Sequence, residues 1–397
     1  MPDRSLFCLF FFLQCVRQST SLDHSQNCLA HTCAAHPGGT SEAQSEFSHF
    51  MGAPQFHLTR EMFVHDRFPN VVVTMKGTVL LVWGSRGVHA RRSEDAGVTW
   101  GDKIIIARSG IHSGGTTVDE VSDEVLVFVE DKHPPAPLKV YRSADDGRSW
   151  AVDDAAILRP DSAGRIPSMH MNEHGITLQH GAHVGRLLRG SRWYGPGDSA
   201  SAFRGHFANA VYSDDRGRTW QASEPFPAMG TGEAAVAELS TGVVYYNSRR
   251  HWAPEGVAST RRWSAHSTDG GETWADLSVV DDLPDGPQGG EAGDFGLFGG
   301  LARLPVSGKD ALVFSNCDSA EWRENGTVWV SLDAGRTWPH KRQIYEGLFA
   351  YSSLYAGRAN TVSQGWIYCF FESTDFGPRS GYVARFNLAW LLASPPE

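Results

Sequence analysis

Ser93-Glu94-Asp95-Ala96-Gly97-Val98-Thr99-Trp100 reads Ser-x-Asp-x-Gly-x-(Thr/Ser)-Trp, and the pattern comes back four more times. The other copies start at Ser143, Ser213, Ser267 and Ser331, and they end at Trp150, Trp220, Trp274 and Trp338. Recurrence over periods of several tens of residues is the mark of a repeat architecture. Each copy has the chemistry of a hairpin turn. Asp accepts from nearby backbone amides, Gly takes a positive φ, and Ser adds a side-chain bond to the backbone. Trp then folds back over the hairpin and buries a large apolar area.

Strand-like runs precede the copies. Val71-Val72-Val73 and Leu80-Leu81-Val82 lie before the first, and Val125 to Val129 before the second. Short strands punctuated at long, regular intervals read as propeller blades. The five turns, with a last blade that lacks one, predict an all-β, six-bladed β-propeller. Gly365–Phe371 and Ser380–Phe386 are the strands expected to close the ring. No shift of composition divides residues 53–397, so they read as one domain.

The composition is consistent with that. Of 397 residues, 41% are hydrophobic, enough for a sizeable core. The 42 Gly and 13 Trp suit many turns with aromatic anchors. A formal net charge of −10 argues against a nucleic-acid partner, which would need a cationic surface. An acidic chain that holds an anion must instead concentrate positive charge locally. Four of the six cysteines (Cys8, Cys15, Cys28, Cys33) crowd the first 33 residues, leaving Cys317 and Cys369 in the body. That is no disulfide framework, and the spacing of Cys28 and Cys33 suits no zinc site. No metal and no cofactor is expected. Leu6–Val16 is apolar and too short to span a bilayer, but has the length of a signal-peptide core. Residues 1–52 therefore read as a leader, a possible signal peptide followed by a disordered polar segment. The protein is secreted or periplasmic if that reading holds, and cytoplasmic otherwise.

The repeated turn is the Asp box, and with it the chain resembles the sialidase (neuraminidase) superfamily. The resemblance continues in single segments. His65-Asp66-Arg67-Phe68-Pro69 is similar to the Arg-Ile-Pro motif that opens the family's first blade. Thr231-Gly232-Glu233-Ala234-Ala235 followed by Asn247-Ser248-Arg249 resembles the segment carrying a catalytic Glu and, one hairpin later, a second arginine. Arg323 lies in the loop where the family places a third, and Ala350-Tyr351-Ser352-Ser353-Leu354 looks like its nucleophile segment. Glu372 matches a carboxylate that orients the first arginine.

The resemblance implies a retaining exo-glycosidase acting on terminal α-linked sialic acid or a related acidic nonulosonic sugar on a glycoconjugate. Arg67, Arg249 and Arg323 would grip the sugar carboxylate through planar guanidinium forks. Tyr351 would attack the anomeric carbon, since a carboxylate nucleophile would be repelled by the substrate's own anion. Glu233 would take the phenol's proton, with Arg250 and Glu238 as alternates if the register shifts.

One part of the family pattern is missing. The family carries an acid/base Asp between the first arginine and the first box, and here no Asp or Glu occurs between Arg67 and Glu94. Three readings stay open. Another group serves, from His89 or the segment His170–Gly175 with Glu173 and His174, or from Asp119 or Glu120. Or the substrate is activated or different. Or the propeller binds an acidic sugar without cleaving it.

Overall fold

The five Ser-x-Asp-x-Gly turns share one hydrogen-bond pattern. In the first, Ser93 Oγ donates to Asp95 Oδ1 at 2.7 Å and accepts from Gly97 N at 2.7 Å. Asp95 also accepts from Thr99 N and Thr99 Oγ1 at 2.9 and 2.6 Å. The chain turns through two consecutive left-handed residues, Ala96 and Gly97, at φ 58° and 83°. A Cβ on the box glycine would press on the preceding blade, tightly at Gly97 and Gly147 and as a clash at the other three. At Gly217 it would lie 2.6 Å from Leu126, and at Gly271 2.5 Å from Leu188. Each box is thus both a turn and a contact between blades.

The structure, a computed structural model, describes residues 47–194, 203–257, 260–285, 296–319, 321–373 and 379–393. Residues 1–46 of the leader expected over 1–52, with its four cysteines, lie outside them; its last residues are ordered instead, with 47–50 in a helical turn and Phe50 buried in the core. The strands form six sheets of four or five strands. Blade 1 is β2(Asn70–Val73), β3(Val79–Trp83), β4(Val88–Ser93) and β5(Ile104–Ala107). Blade 2 holds β6(Ile111–His112), β7(Thr117–Asp119), β8(Glu124–Glu130), β9(Leu138–Ser143) and β10(Ala151–Asp153). Blade 3 holds β12(Ile176–Thr177), β13(Leu187–Trp193), β14(Phe207–Ser213) and β15(Thr219–Ala222), with β11(Ile157–Leu158) parallel on its outer edge.

Blade 4 runs β16(Thr231–Glu238), β17(Val244–Arg250), β18(Arg261–Ser267) and β19(Ala275–Pro284). Blade 5 runs β20(Gly300–Arg303), β21(Leu312–Cys317), β22(Glu324–Ser331) and β23(His340–Leu348). Blade 6 holds β24(Ser352–Ala356), β25(Ile367–Ser373) and β26(Ser380–Phe386), and its outer strand is β1(Phe56–Val64) from the other end of the chain. The two strands expected to close the ring are β25 and β26, but a strand before Arg67 completes the closure. A short helix, α1(Leu388–Leu392), follows β26.

The inner strands are buried nearly throughout because they meet neighbours on both faces; all eight residues of β16 are out of water. Core clusters fill the spaces between neighbouring blades. One packs Val72, Leu80 and Val82 of blade 1 on Val118, Val125 and Val127 of blade 2. Strand direction then assigns two faces. Every box ends the third strand of its blade, so all five lie on one face. The starts of the first and third strands, and the ends of the second, lie on the other.

Candidate active site

All five central residues singled out in the sequence fall on the face opposite the boxes. Arg67 precedes β2, Glu233 begins β16, Arg249 ends β17, Arg323 precedes β22 and Tyr351 precedes β24. Four blades contribute them, and they meet. Tyr351 Oη donates to Glu233 Oε1 at 3.3 Å. Arg249 Nη1 donates to the other carboxylate oxygen, Glu233 Oε2, at 2.5 Å, with both side chains almost wholly buried. The guanidinium carbons of Arg67 and Arg323 lie 5.0 and 5.4 Å from the centre of the Tyr351 ring. Phe68 stacks on that ring at 6.4 Å and Phe298 meets its edge at 5.9 Å.

Glu372 anchors the first arginine. Its carboxylate accepts from Arg67 Nε and Nη2, both at 3.3 Å, and from Phe68 N at 2.9 Å. Phe68 has φ 69°, a conformation rare for a bulky residue. It is held there from both sides, because its carbonyl also accepts from His112 Nδ1 at 2.9 Å.

The electrostatics follow from burial and charge. Burial pushes the Tyr351 phenol up and the Glu233 anion adds to this, while Arg249, Arg323 and Arg67 pull the other way. Burial would also raise Glu233, but Arg249 and then Arg192 outweigh it and hold the carboxyl below its usual range. Glu233 is therefore ionised and aimed at a phenol that is still protonated. Passing the proton from Tyr351 to Glu233 leaves the charge of the pair unchanged, and the surrounding guanidinium groups stabilise the phenolate that results.

Supports that the sequence did not single out surround this core. Arg379 Nε lies 3.7 Å from Glu372 Oε2. Arg192, buried in β13, lies beside Glu233 and contacts His251 Nε2 at 3.2 Å. Arg262 and Asp285 form a fully buried pair at 2.9 Å. Arg262 also bonds Asn247 Oδ1, and Asp285 accepts from Arg250 N, bracing the hairpin that carries Arg249. Their signal in the sequence is faint, since each arginine follows or precedes ordinary strand residues. Burial of a carboxyl without water pushes Asp285 up to about 6 despite its partners.

The remaining candidates are placed as follows. Arg250 bonds the carbonyl of Trp252 and packs over Trp263, away from Tyr351. Glu238 sits at the far end of β16 and accepts from Gln179 N and His180 N. Asp119 closes the β7–β8 turn through Val121 N and Ser122 Oγ. Glu120 pairs with Arg358 at the mouth of the ring on the box side. His174 lies tilted against the Tyr355 ring, centre to centre 4.5 Å, and lines that same cavity of about 350 Å³. Glu173 is sealed on the axis, accepting from Ser353 Oγ, Leu354 N and His174 Nδ1 at 2.7, 2.9 and 2.9 Å. Among the contacts of the described residues, none of these touches Tyr351.

His89 packs on Trp83, between the first and last blades, with Nδ1 3.7 Å from Asp66 Oδ2. Asp66 in turn accepts from Arg67 N, Ser85 N and Ser85 Oγ. The turn between β3 and β4 is very tight. Gly84 has φ 152°, and a Cβ there would lie 1.9 Å from the Gly87 carbonyl. Residues 84–87 make up the whole turn, and none of them is a carboxylate.

A ring of six sheets of four or five strands, with arginines and a Tyr–Glu pair on one face and the boxes on the other, defines a sialidase-type propeller. The profile described as BNR repeat-like domain matches residues 84–363, and the chain belongs to this family of BNR-repeat, sialidase-type proteins. Over 369 residues it is 32% identical to a sialidase of Micromonospora viridifaciens, covering 84% of this chain and 53% of that one. A sialidase of Bacteroides fragilis is 26% identical over 349 residues, covering 76% and 59%. The chain thus spans a little over half the length of these curated relatives. Among solved structures, the Hadza microbial sialidase Hz136 superposes with a TM-score of 0.63 at 22% identity, over 83% of this chain and 67% of that one, a likeness of fold. Among the described residues, no helix is long and apolar enough to cross a membrane.

Proposed function

We propose that residues 53–397 form a retaining exo-glycosidase that removes terminal α-linked sialic acid, or a related acidic nonulosonic sugar, from glycoconjugates. Arg67, Arg249 and Arg323 bind the sugar carboxylate. Tyr351 attacks the anomeric carbon as Glu233 takes its proton, and water releases the sugar with retained configuration. The observation that carries this reading is the Tyr351–Glu233 contact at 3.3 Å within three guanidinium groups drawn from three blades. The names of the relatives support it.

A second reading is favoured by the tight Gly84–Gly87 turn: a propeller that grips the same sugar without cleaving it. Turnover of a fluorogenic sialoside decides between them. The hydrolase reading expects turnover that Tyr351→Phe reduces at least a thousandfold, because a phenyl ring has no nucleophile to offer. The binder reading expects no turnover, but affinity for free sialic acid that Arg249→Ala abolishes. A wild-type chain with neither property would exclude both.

A further inference from the structure

We propose that His170 is the acid/base of this site, protonating the departing oxygen and later deprotonating the incoming water, with Glu130 positioning it. The inference rests on the hydrolytic reading above and supplies its missing group.

Phe68 is pinned at both its N–H and its carbonyl, and its ring contacts both catalytic candidates, stacking with Tyr351 at 6.4 Å and meeting His170 edge-on at 5.6 Å. A sugar bound at Tyr351 has the phenol toward blade 6 and the imidazole toward blades 2 and 3. Those are the opposed positions that a nucleophile and an acid require. His89 does not share this placement, since its ring packs on Trp83 in the groove between blades 6 and 1.

His170 Nδ1 lies 3.6 Å from Glu130 Oε2, with both side chains nearly buried. Glu130 is fixed independently. It accepts from Ser113 Oγ at 3.0 Å, Ser168 Oγ at 2.7 Å and Met169 N at 3.2 Å. A carboxylate facing one ring nitrogen offsets the charge of the imidazolium and leaves the other nitrogen to move protons. Nδ1 is buried without a hydrogen-bond partner among the described residues, so Glu130 faces it at ion-pair range only. The other groups facing the pair are Arg189, which acts on Glu130, together with His112, His133 and Tyr194.

The steps balance. As the Tyr351 oxygen bonds the anomeric carbon, its proton goes to Glu233. The carbon–oxygen bond to the leaving group breaks, and that oxygen takes the proton from His170 Nε2. In the second half a water gives its proton to His170 and its oxygen to the carbon. The phenolate leaves and recovers its proton from Glu233.

The test compares a 4-nitrophenyl sialoside, whose phenol departs without help, with 3′-sialyllactose, whose sugar alkoxide needs a proton. His170→Asn should lower kcat/KM on sialyllactose by about 10²- to 10⁴-fold while changing the aryl substrate less than about tenfold. Glu130→Gln should move the alkaline limb of the sialyllactose profile to lower pH, because the imidazolium loses its counter-charge. Equal losses on both substrates in His170→Asn, or the leaving-group dependence appearing in His89→Asn instead, would overturn the assignment. If His170→Asn no longer binds free sialic acid, the Glu130→Gln profile decides, and an unmoved limb rejects the role. A wild-type chain that cleaves neither substrate removes the hydrolytic reading itself, and this role with it.

Discussion

Arg249 and Glu233 illustrate what a buried pair does to chemistry at one position. Removing the guanidinium strands a carboxylate out of water, which costs about 3–5 kcal/mol in stability. It also removes the largest influence holding Glu233 low, so the carboxyl of Arg249→Ala should titrate at higher pH. The base works only when ionised, so the acid limb of kcat/KM in any residual activity should move upward in pH. An unmoved limb would show that Glu233 is not the titrating base. The linkage sign is that of a depressed carboxyl. Its stabilisation is present above the ordinary glutamate range and lost as pH falls through the lower folded value. Glu372→Gln tests the neighbouring pair more gently. The amide can still accept from Phe68 N, but Arg67 loses its ion pair, so isothermal titration should show sialic-acid affinity lower by about tenfold, near the 1.5 kcal/mol of a charged hydrogen bond.

The Asp box is a device at the scale of the element, and it was legible because everything it needs is local. Asp95 accepts four hydrogen bonds from residues within four positions of it, so the whole pattern is written in eight consecutive letters. Those bonds outweigh burial and hold Asp95 and Asp145 down to about 2, and Asp215, Asp269 and Asp333 below their usual range. All five therefore add stability above about pH 4 and lose it as pH falls toward 2. Chemical denaturation of the wild type should show its midpoint falling across that window, and Asp269→Ala should start about 1–3 kcal/mol lower and fall less steeply. An equal slope in both would contradict the box as the source. The site was legible only in part, for the converse reason. Arg67, Glu233, Arg249, Arg323 and Tyr351 each sit in a short segment with a family pattern. Arg379, Arg192 and the His170–Glu130 pair come together through strand pairing and the packing of neighbouring blades, and no local spacing encodes that.

Closure is the property of the whole molecule, and it couples the fold to the chemistry. β1 pairs with β26 from Phe56↔Phe386 to Val64↔Ser380, so the last blade is finished by the first strand. Arg67 follows three residues later, and Glu372, its anchor, lies on β25 beside that seam. The seam therefore fixes both the ring and the position of the first arginine. A chain lacking residues 1–65 keeps every box and every site residue but leaves β26 as an open edge. An exposed edge of that kind invites pairing with another copy. Loss of the strand also uncovers apolar groups, since Met62 and Phe63 of β1 pack with Val71 and Trp83 of blade 1 and Phe370 of β25. Thermal denaturation of this truncated chain should begin many degrees lower and end in aggregates visible by light scattering. A synthetic peptide of residues 53–65 added in trans should restore part of the midpoint, because the acceptor edge is preformed by β26. A truncated chain that melts like the full one would mean that closure draws its strength from the inner strands around the axis. The seam would then serve only to position Arg67, and the defect would appear as weaker carboxylate binding with an unchanged melting temperature.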